Sequence, residues 1–335
     1  MASIVFGAAT SHTPMLNTAA EEWPLFEDLD RQRAHLDKDG RHATYDELLA
    51  SAPISLRAEL EPERLARRHG EAMTAVNRLR DGLAGASLDA VIVVGDDQKE
   101  VYHEDNMPSI LVYRGKTIPN MPNRTTRPPA PGAVPRPSWA QRASARYYEE
   151  KETRHYPVDA DLATHLIGAL IDREFDVATA NALPDGEGEG HAFGFVHQRI
   201  MKNVAIPIVP ICLNTYYPPN QPSPRRCYKL GQAVRKAVES YPQALRVGVV
   251  ASGGLSHFTV DEAFDGEIIR ALREKDAEAL QSVPREKLNS GNSEIRNWIC
   301  AAGALDHLDL RWAHYSPGYR TPAGTGTGLG FACWS

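Results

Sequence analysis

The chain has 335 residues, a formal net charge of −6, 42% hydrophobic residues and 24% charged residues. That length suits one large domain or two modest ones, with enough apolar residues for a packed core. The acidic balance, broken only by the isolated basic pairs Arg67-Arg68 and Arg225-Arg226, argues against a nucleic-acid-binding surface, and no apolar stretch reaches the ~20 residues that cross a bilayer.

Four cysteines, Cys212, Cys227, Cys300 and Cys333, show no C-x-x-C pairing, which predicts reduced, buried thiols in a cytoplasmic protein. No positive segment precedes the first apolar run, so no signal peptide is expected. Residues 2–10 read as a strand that delivers His12, within Ala9-Thr10-Ser11-His12-Thr13-Pro14, to its carboxyl end. In open α/β sheets that end is where ligands bind. Residues 13–60 are mixed in charge and unusually polar. Glu61 to Leu83 has helical spacing, with Leu65, Met73, Val76 and Leu79 on one side. Ala90 to Val94 is a short apolar run closed by Gly95, as a buried strand would be, and 108–113 extends the sheet.

Residues 118–138 hold seven prolines, a density that forbids regular helix and predicts an ordered Pro-rich excursion over about 114–150. A helix follows at 160–172, capped by Asp159 or Asp161. Val177-Ala178 and 206–211 are the next strand candidates, and Pro207 and Pro210 place the latter near an edge or lie at its ends. Residues 228–239 read as helix, 246–251 as the clearest buried strand, and 261–280 and 293–304 as helices. Alternating strands and helices predict one α/β domain, with a central mixed sheet flanked by helices and a site at the strand carboxyl ends.

Two strands share one ending. Val91–Val94 runs into Gly95-Asp96-Asp97-Gln98, and Val247–Ala251 runs into Ser252-Gly253-Gly254-Leu255-Ser256-His257. Glycines there let the backbone turn close to a ligand. Each motif alone also fits a structural histidine or a helix cap. Gly186-Glu187-Gly188-Glu189-Gly190-His191 reads either as a solvent-exposed acidic loop or as a mobile segment that delivers an imidazole. Glu294, beside the cap candidates Asn292 and Ser293, reads either as a carboxylate favoured by a helix dipole or as a metal ligand.

Taken in order, these segments resemble the class III extradiol ring-cleavage dioxygenases, the family of the protocatechuate 4,5-dioxygenase catalytic subunit, and especially its single-chain 3-O-methylgallate 3,4-dioxygenase branch. The resemblance rests on Ser11-His12-Thr13-Pro14, the Asp-containing strand end, the Gly-His segment at His191, Asn214-Thr215-Tyr216-Tyr217-Pro218-Pro219, Arg226-Cys227, Gly253-Gly254-Leu255-Ser256-His257, and Glu294 four residues before Trp298. It covers most of residues 1–12 and 88–335. It implies an Fe(II) site held by two histidines and a glutamate, with open positions for a catechol and dioxygen. His12 and Glu294 match two ligands, but the second histidine position falls on Gln98. Either Gln98 ligates, or a neighbour such as His103, Asp97 or Glu100 substitutes, or the site is degenerate. His257 and His191 match the family's acid/base histidines.

The resemblance further implies extradiol cleavage of a carboxylated catechol such as 3-O-methylgallate, gallate or protocatechuate, from lignin-derived aromatics. Asn214, Tyr217, Arg225 and Arg226 are the candidates to hold its carboxylate. Segment 13–87 takes the place of a helical lid, and a homodimer is expected. The departure at Gln98 keeps two alternatives open: a metal-dependent hydrolase or lyase on the same fold, and a non-catalytic binding relative.

Overall fold

The computed structural model describes residues 1–122, 137–202 and 204–335. Its strands in chain order are β1 (Ser3–Thr10), β2 (His35–Leu36), β3 (His42–Ala43), β4 (Ala90–Asp96), β5 (Ile110–Tyr113), β6 (Thr117–Asn120), β7 (Arg154–Pro157), β8 (Ala178–Ala180), β9 (Ile208–Leu213), β10 (Arg246–Ser252), β11 (His257–Thr259), β12 (Leu310–Tyr319) and β13 (Thr325–Trp334). The central sheet runs β11-β13-β1-β10-β4-β9-β5-β8, with β12 on β13, while β2–β3 and β6–β7 form separate ribbons. Neighbours β1, β10, β4 and β9 are mutually parallel. Antiparallel pairs β13–β1 and β5–β9 flank them. The fold is therefore the mixed α/β architecture expected, and four adjacent strands open their carboxyl ends on one side.

Side chains of a strand alternate between faces, and the two cores follow that alternation. Ile92, Val94, Val247, Val249 and Ala251 pack with helices Ala160–Ile171, Pro224–Glu239, Glu262–Glu274 and Ile295–Leu305. Val91, Val93 and Val250 pack on the other face with Phe6, Phe331 and helix Pro62–Gly85. The segment expected as a lid thus divides. Leu65, Val76, Leu79 and Leu83 make helix Pro62–Gly85 a layer of the core, whereas residues 13–60 carry 3-10 turns, the short helices Glu27–Asp30 and Tyr45–Ser51 and the β2–β3 ribbon.

Other expectations shift in detail. Strand β9 lies inside the sheet and not at its edge, with Pro207 just before its first residue. Its Pro210 falls between the last pair with β5, at Ile211, and the bridge from Val158 to Ile208, so no ladder bond is missing there. Residues 261–280 form two helices, parted at Lys275, which is left-handed with φ 53°. The C-terminal hairpin β12–β13 has no counterpart in the sequence reading, because its glycine-rich run Gly324-Thr325-Gly326-Thr327-Gly328 hides the apolar alternation. Of the Pro-rich excursion, β6 and helix Ser138–Ala145 are ordered elements, β7 follows it, and 123–136 lie outside the described residues. All four cysteines are buried and unpaired. Among the described residues no helix is long and apolar enough to cross a membrane.

Candidate metal centre

Each parallel strand hands one polar group to the same edge of the sheet. Beyond β1 comes His12, beyond β4 Gln98, beyond β9 Tyr216, and beyond β10 the loop to His257. His191, the first residue of helix His191–Phe195, and Glu294, immediately before helix Ile295–Leu305, close the cluster from two further segments. His12, His191 and Glu294 have ligand atoms within 4.8 Å of one another. The loops approach closely because side chains are absent where they meet. A Cβ on Gly291 would lie 2.0 Å from the His257 ring, and one on Gly254 would lie 2.9 Å from it.

Hydrogen bonds on the outer nitrogens fix which nitrogen faces inward. Ser252 Oγ donates to Ala192 O at 2.7 Å, so it accepts from His12 Nδ1 at 3.0 Å. His191 Nδ1 donates to Glu100 Oε2 at 2.7 Å, and the same oxygen takes the His191 backbone N–H at 3.0 Å. Each imidazole therefore turns its Nε2 inward. These two atoms lie 3.2 Å apart, and His12 Nε2 is 3.1 Å from Glu294 Oε2. Two imidazole nitrogens and a carboxylate at such distances need a proton or a cation shared among them. The donor set, two imidazoles and one carboxylate, is the 2-His-1-carboxylate pattern of non-haem Fe(II) sites. Outer-nitrogen partners of this kind hold ligating histidines in one tautomer.

Glu294 is the hub. Oε2 accepts Gly254 N–H at 2.6 Å, and Oε1 accepts from Gln98 Nε2 at 3.0 Å and Tyr216 O–H at 3.1 Å. His257 Nε2 stands 3.1 Å from Oε1 and 3.4 Å from Tyr216 Oη. The His257 Nδ1–H donates to Leu255 O at 2.8 Å, which leaves Nε2 as its basic atom. Asn292 takes the His257 backbone N–H at 2.7 Å and does not cap a helix, contrary to expectation.

The electrostatics divide the site. Burial works to raise the Glu294 carboxyl, but His257 and His12 outweigh it and hold the group well below the carboxylate range. Burial lowers His12 against the pull of Glu294, which favours the neutral imidazole that a ligand must be. Burial would lower His191 too, but Glu100 overrides it and raises the group to about 10. Asp96 is fully buried and pushed well above its usual range by burial and by the Glu294 charge. Asp97, raised to about 6 by burial and by Glu100, accepts the backbone N–H groups of Val101 and Tyr102.

Gln98 is brought into the cluster, with its amide nitrogen toward Glu294 and also 3.4 Å from His191 Nε2. His103 is exposed on the loop after β4 and lies outside the three-residue group. Asn214 is occupied in its own turn, bonded to Tyr217 O, Tyr217 N and Asn220. Tyr217 carries Lys99 4.4 Å over its ring. Arg226 bonds Glu174 O and stacks on Phe175, and Arg225 is exposed. The arginines expected at the substrate are thus not gathered at Glu294. The sequence reading gave no role to Ser252, to Tyr147, whose hydroxyl donates to His12 O at 2.5 Å, or to Asn297, which bonds Asp96 and Ser252 O. Their only signal was position, just before or after segments already singled out.

Comparison with known proteins bears on this geometry. Residues 53–330 match the family described as the catalytic LigB subunit of aromatic ring-opening dioxygenase. The chain belongs to this family. A gallate dioxygenase of Pseudomonas putida is 29% identical over 180 residues, which is 50% of this chain and 51% of that protein. A 2,3-dihydroxyphenylpropionate/2,3-dihydroxicinnamic acid 1,2-dioxygenase of Comamonas testosteroni is 33% identical over 100 residues, 30% of each chain. The matches thus span about half or less of these curated relatives. LigB membership agrees with the α/β sheet and with a cluster at its carboxyl edge that could hold a metal ion.

Proposed function

We propose that this LigB-family protein is an Fe(II)-dependent extradiol dioxygenase that opens a carboxylated catechol, with 3-O-methylgallate, gallate and protocatechuate as the substrates to test. The observation that carries the reading is the convergence of two imidazole Nε2 atoms and the Glu294 carboxylate, each imidazole fixed from behind. We assign the ligands to His12, His191 and Glu294. On this assignment His191 supplies the imidazole that Gln98 does not, and Gln98 serves Glu294 as a hydrogen-bond donor. Bound iron would supply the coordination positions for the two catechol oxygens and dioxygen, and the route for electrons between them.

The protein's own groups handle the protons. His257 Nε2 is the general base for a catechol hydroxyl, because its other nitrogen is committed to Leu255 O. The Tyr216 hydroxyl, held protonated by burial and by the Glu294 charge, stays a donor beside it. The catechol proton taken at His257 is returned at the same nitrogen as the ring opens. Glu100 keeps the His191 ring from turning, and Ser252 does the same for His12.

The test is reconstitution with Fe(II) under anaerobic conditions, followed by oxygen-electrode assays on the three catechols. Stoichiometric oxygen uptake with a ring-opened product is expected. Metal-dependent conversion without oxygen uptake would replace the reading with a hydrolase or lyase.

A further inference from the structure

We propose that Asn120, on strand β6 of the Pro-rich excursion, is a positioning residue for both imidazole ligands of the metal centre. The inference rests on the assignment of His12, His191 and Glu294 as ligands, and it gives the excursion a task.

Asn120 is fully buried, where an amide is costly unless it is bonded. Its Oδ1 accepts the Glu149 backbone N–H at 2.7 Å. Its Nδ2 donates to Glu189 Oε1 at 2.6 Å and to Tyr147 O at 3.2 Å. The amide fits only this way round, because a flip would set its oxygen against a carboxylate and a carbonyl. The two donor bonds lead to different histidines.

The first leads to His191. Glu189 lies two residues before it and is buried with His197, whose Nδ1 stands 2.8 and 2.9 Å from the two carboxylate oxygens. Tyr156 of β7 stacks on the His197 ring with centroids 3.8 Å apart. The Glu189 backbone N–H donates to Pro119 O of β6 at 2.8 Å. The Gly-rich loop is thus tied to the β6–β7 ribbon just before it delivers His191.

The second leads to His12. Tyr147 follows helix Ser138–Ala145, and its hydroxyl donates to His12 O at 2.5 Å. Its ring meets the His191 ring edge-on, with centroids 5.6 Å apart. One amide therefore sets the spacing of two segments whose imidazole Nε2 atoms stand 3.2 Å apart. Glu100 and Ser252 fix how those rings turn; Asn120 fixes where their backbones stand. A metal ion is sensitive to that placement, because ligand distances hold to within about 0.2 Å.

The experiment measures Fe(II) affinity by anaerobic chelator competition, beside the melting temperature of each metal-free protein. Asn120→Asp keeps the size of the side chain but turns an oxygen toward Glu189 and Tyr147 O. Its affinity falls by about 10–100-fold, the loss that follows when an outer-shell partner is removed. Tyr147→Phe keeps the ring and releases His12 O, and its affinity falls by about tenfold, the lower end of that range. Pairing Asn120→Asp with Glu189→Gln restores a donor and an acceptor in exchanged places, and part of the lost affinity returns. Unchanged affinity in either single variant overturns the inference, even where the melting temperature drops, because that pattern marks a structural role alone. If Asn120→Asp does not fold, Tyr147→Phe decides by the same criterion. His191→Ala runs alongside. Metal retained there overturns the ligand assignment and the inference with it. Metal lost there but bound normally by Asn120→Asp and Tyr147→Phe overturns the inference alone.

Discussion

His191 and His257 flank the same carboxylate, and what lies behind each differs. His191 has a carboxylate, Glu100, on its outer nitrogen, while His257 has a neutral carbonyl, Leu255 O. An anion behind an imidazole raises its basicity and strengthens it as a ligand. A backbone carbonyl fixes the tautomer and leaves the inner nitrogen free to take a proton. Two histidines with similar inner surroundings are thus suited to different work, ligation and proton transfer. Buried carboxylates elsewhere show the same contrast. Burial opposes ionisation of Asp30, yet Arg320 holds its pKa down. Asp265, also buried, has only Ser256 and Tyr315 as donors and is raised to about 7.

The sharpest way to break the comparison is His257→Ala. It should lower kcat by about 10²–10⁴-fold and leave Fe(II) bound; metal loss in this variant would erase the distinction between the two histidines. For the carboxylates, Arg320→Met strands a buried charge at Asp30 and should cost about 3–5 kcal/mol in denaturant unfolding. A cost near zero would mean that Asp30 is not ionised in the fold. Glu100→Gln keeps a group of the same shape behind His191 but removes its charge. Metal affinity should fall by about 10–100-fold, read in a chelator competition, and no change would show that the charge behind His191 is irrelevant.

The smallest effect is at Asp265. Its folded pKa of about 7 lies above the ordinary value of 3.8, so the fold prefers the protonated form. The stability associated with that form is complete below about pH 4 and is lost as pH rises toward 7. Asp265→Asn removes the titration, so its melting temperature should gain on that of the wild type between pH 5 and pH 8. A constant gap across that range would contradict the assignment.

Much of this was legible in the residues. The buried strands β4 and β10 showed as short apolar runs, and the small residues after them marked where loops enter the site. Asp159 capped its helix as its residue type suggests, accepting Leu162 N–H at 2.9 Å. The partners were not legible. Nothing in the sequence joins Glu100 to His191 or Asp30 to Arg320, because those pairs are made by strand order and by close packing of loops. The role of Gln98 was open for the same reason. A side chain at a ligand's position becomes a ligand or a donor according to which neighbour reaches the centre first, and here the Gly-rich loop brings His191 there. In the insertion, the spacing of Leu65, Val76 and Leu79 marked helix Pro62–Gly85, but its place as a core layer and not as part of a lid is set by the strands it packs on.

The central claim is that His12, His191 and Glu294 hold the metal while Gln98 serves Glu294. The most direct measurement is Fe(II) affinity under anaerobic conditions for His191→Ala and Gln98→Ala beside the wild type. The account expects His191→Ala to lose stoichiometric metal and Gln98→Ala to stay within about tenfold of the wild type, the lower end of the loss seen when an outer-shell partner is removed. Metal lost from Gln98→Ala and retained by His191→Ala would contradict it.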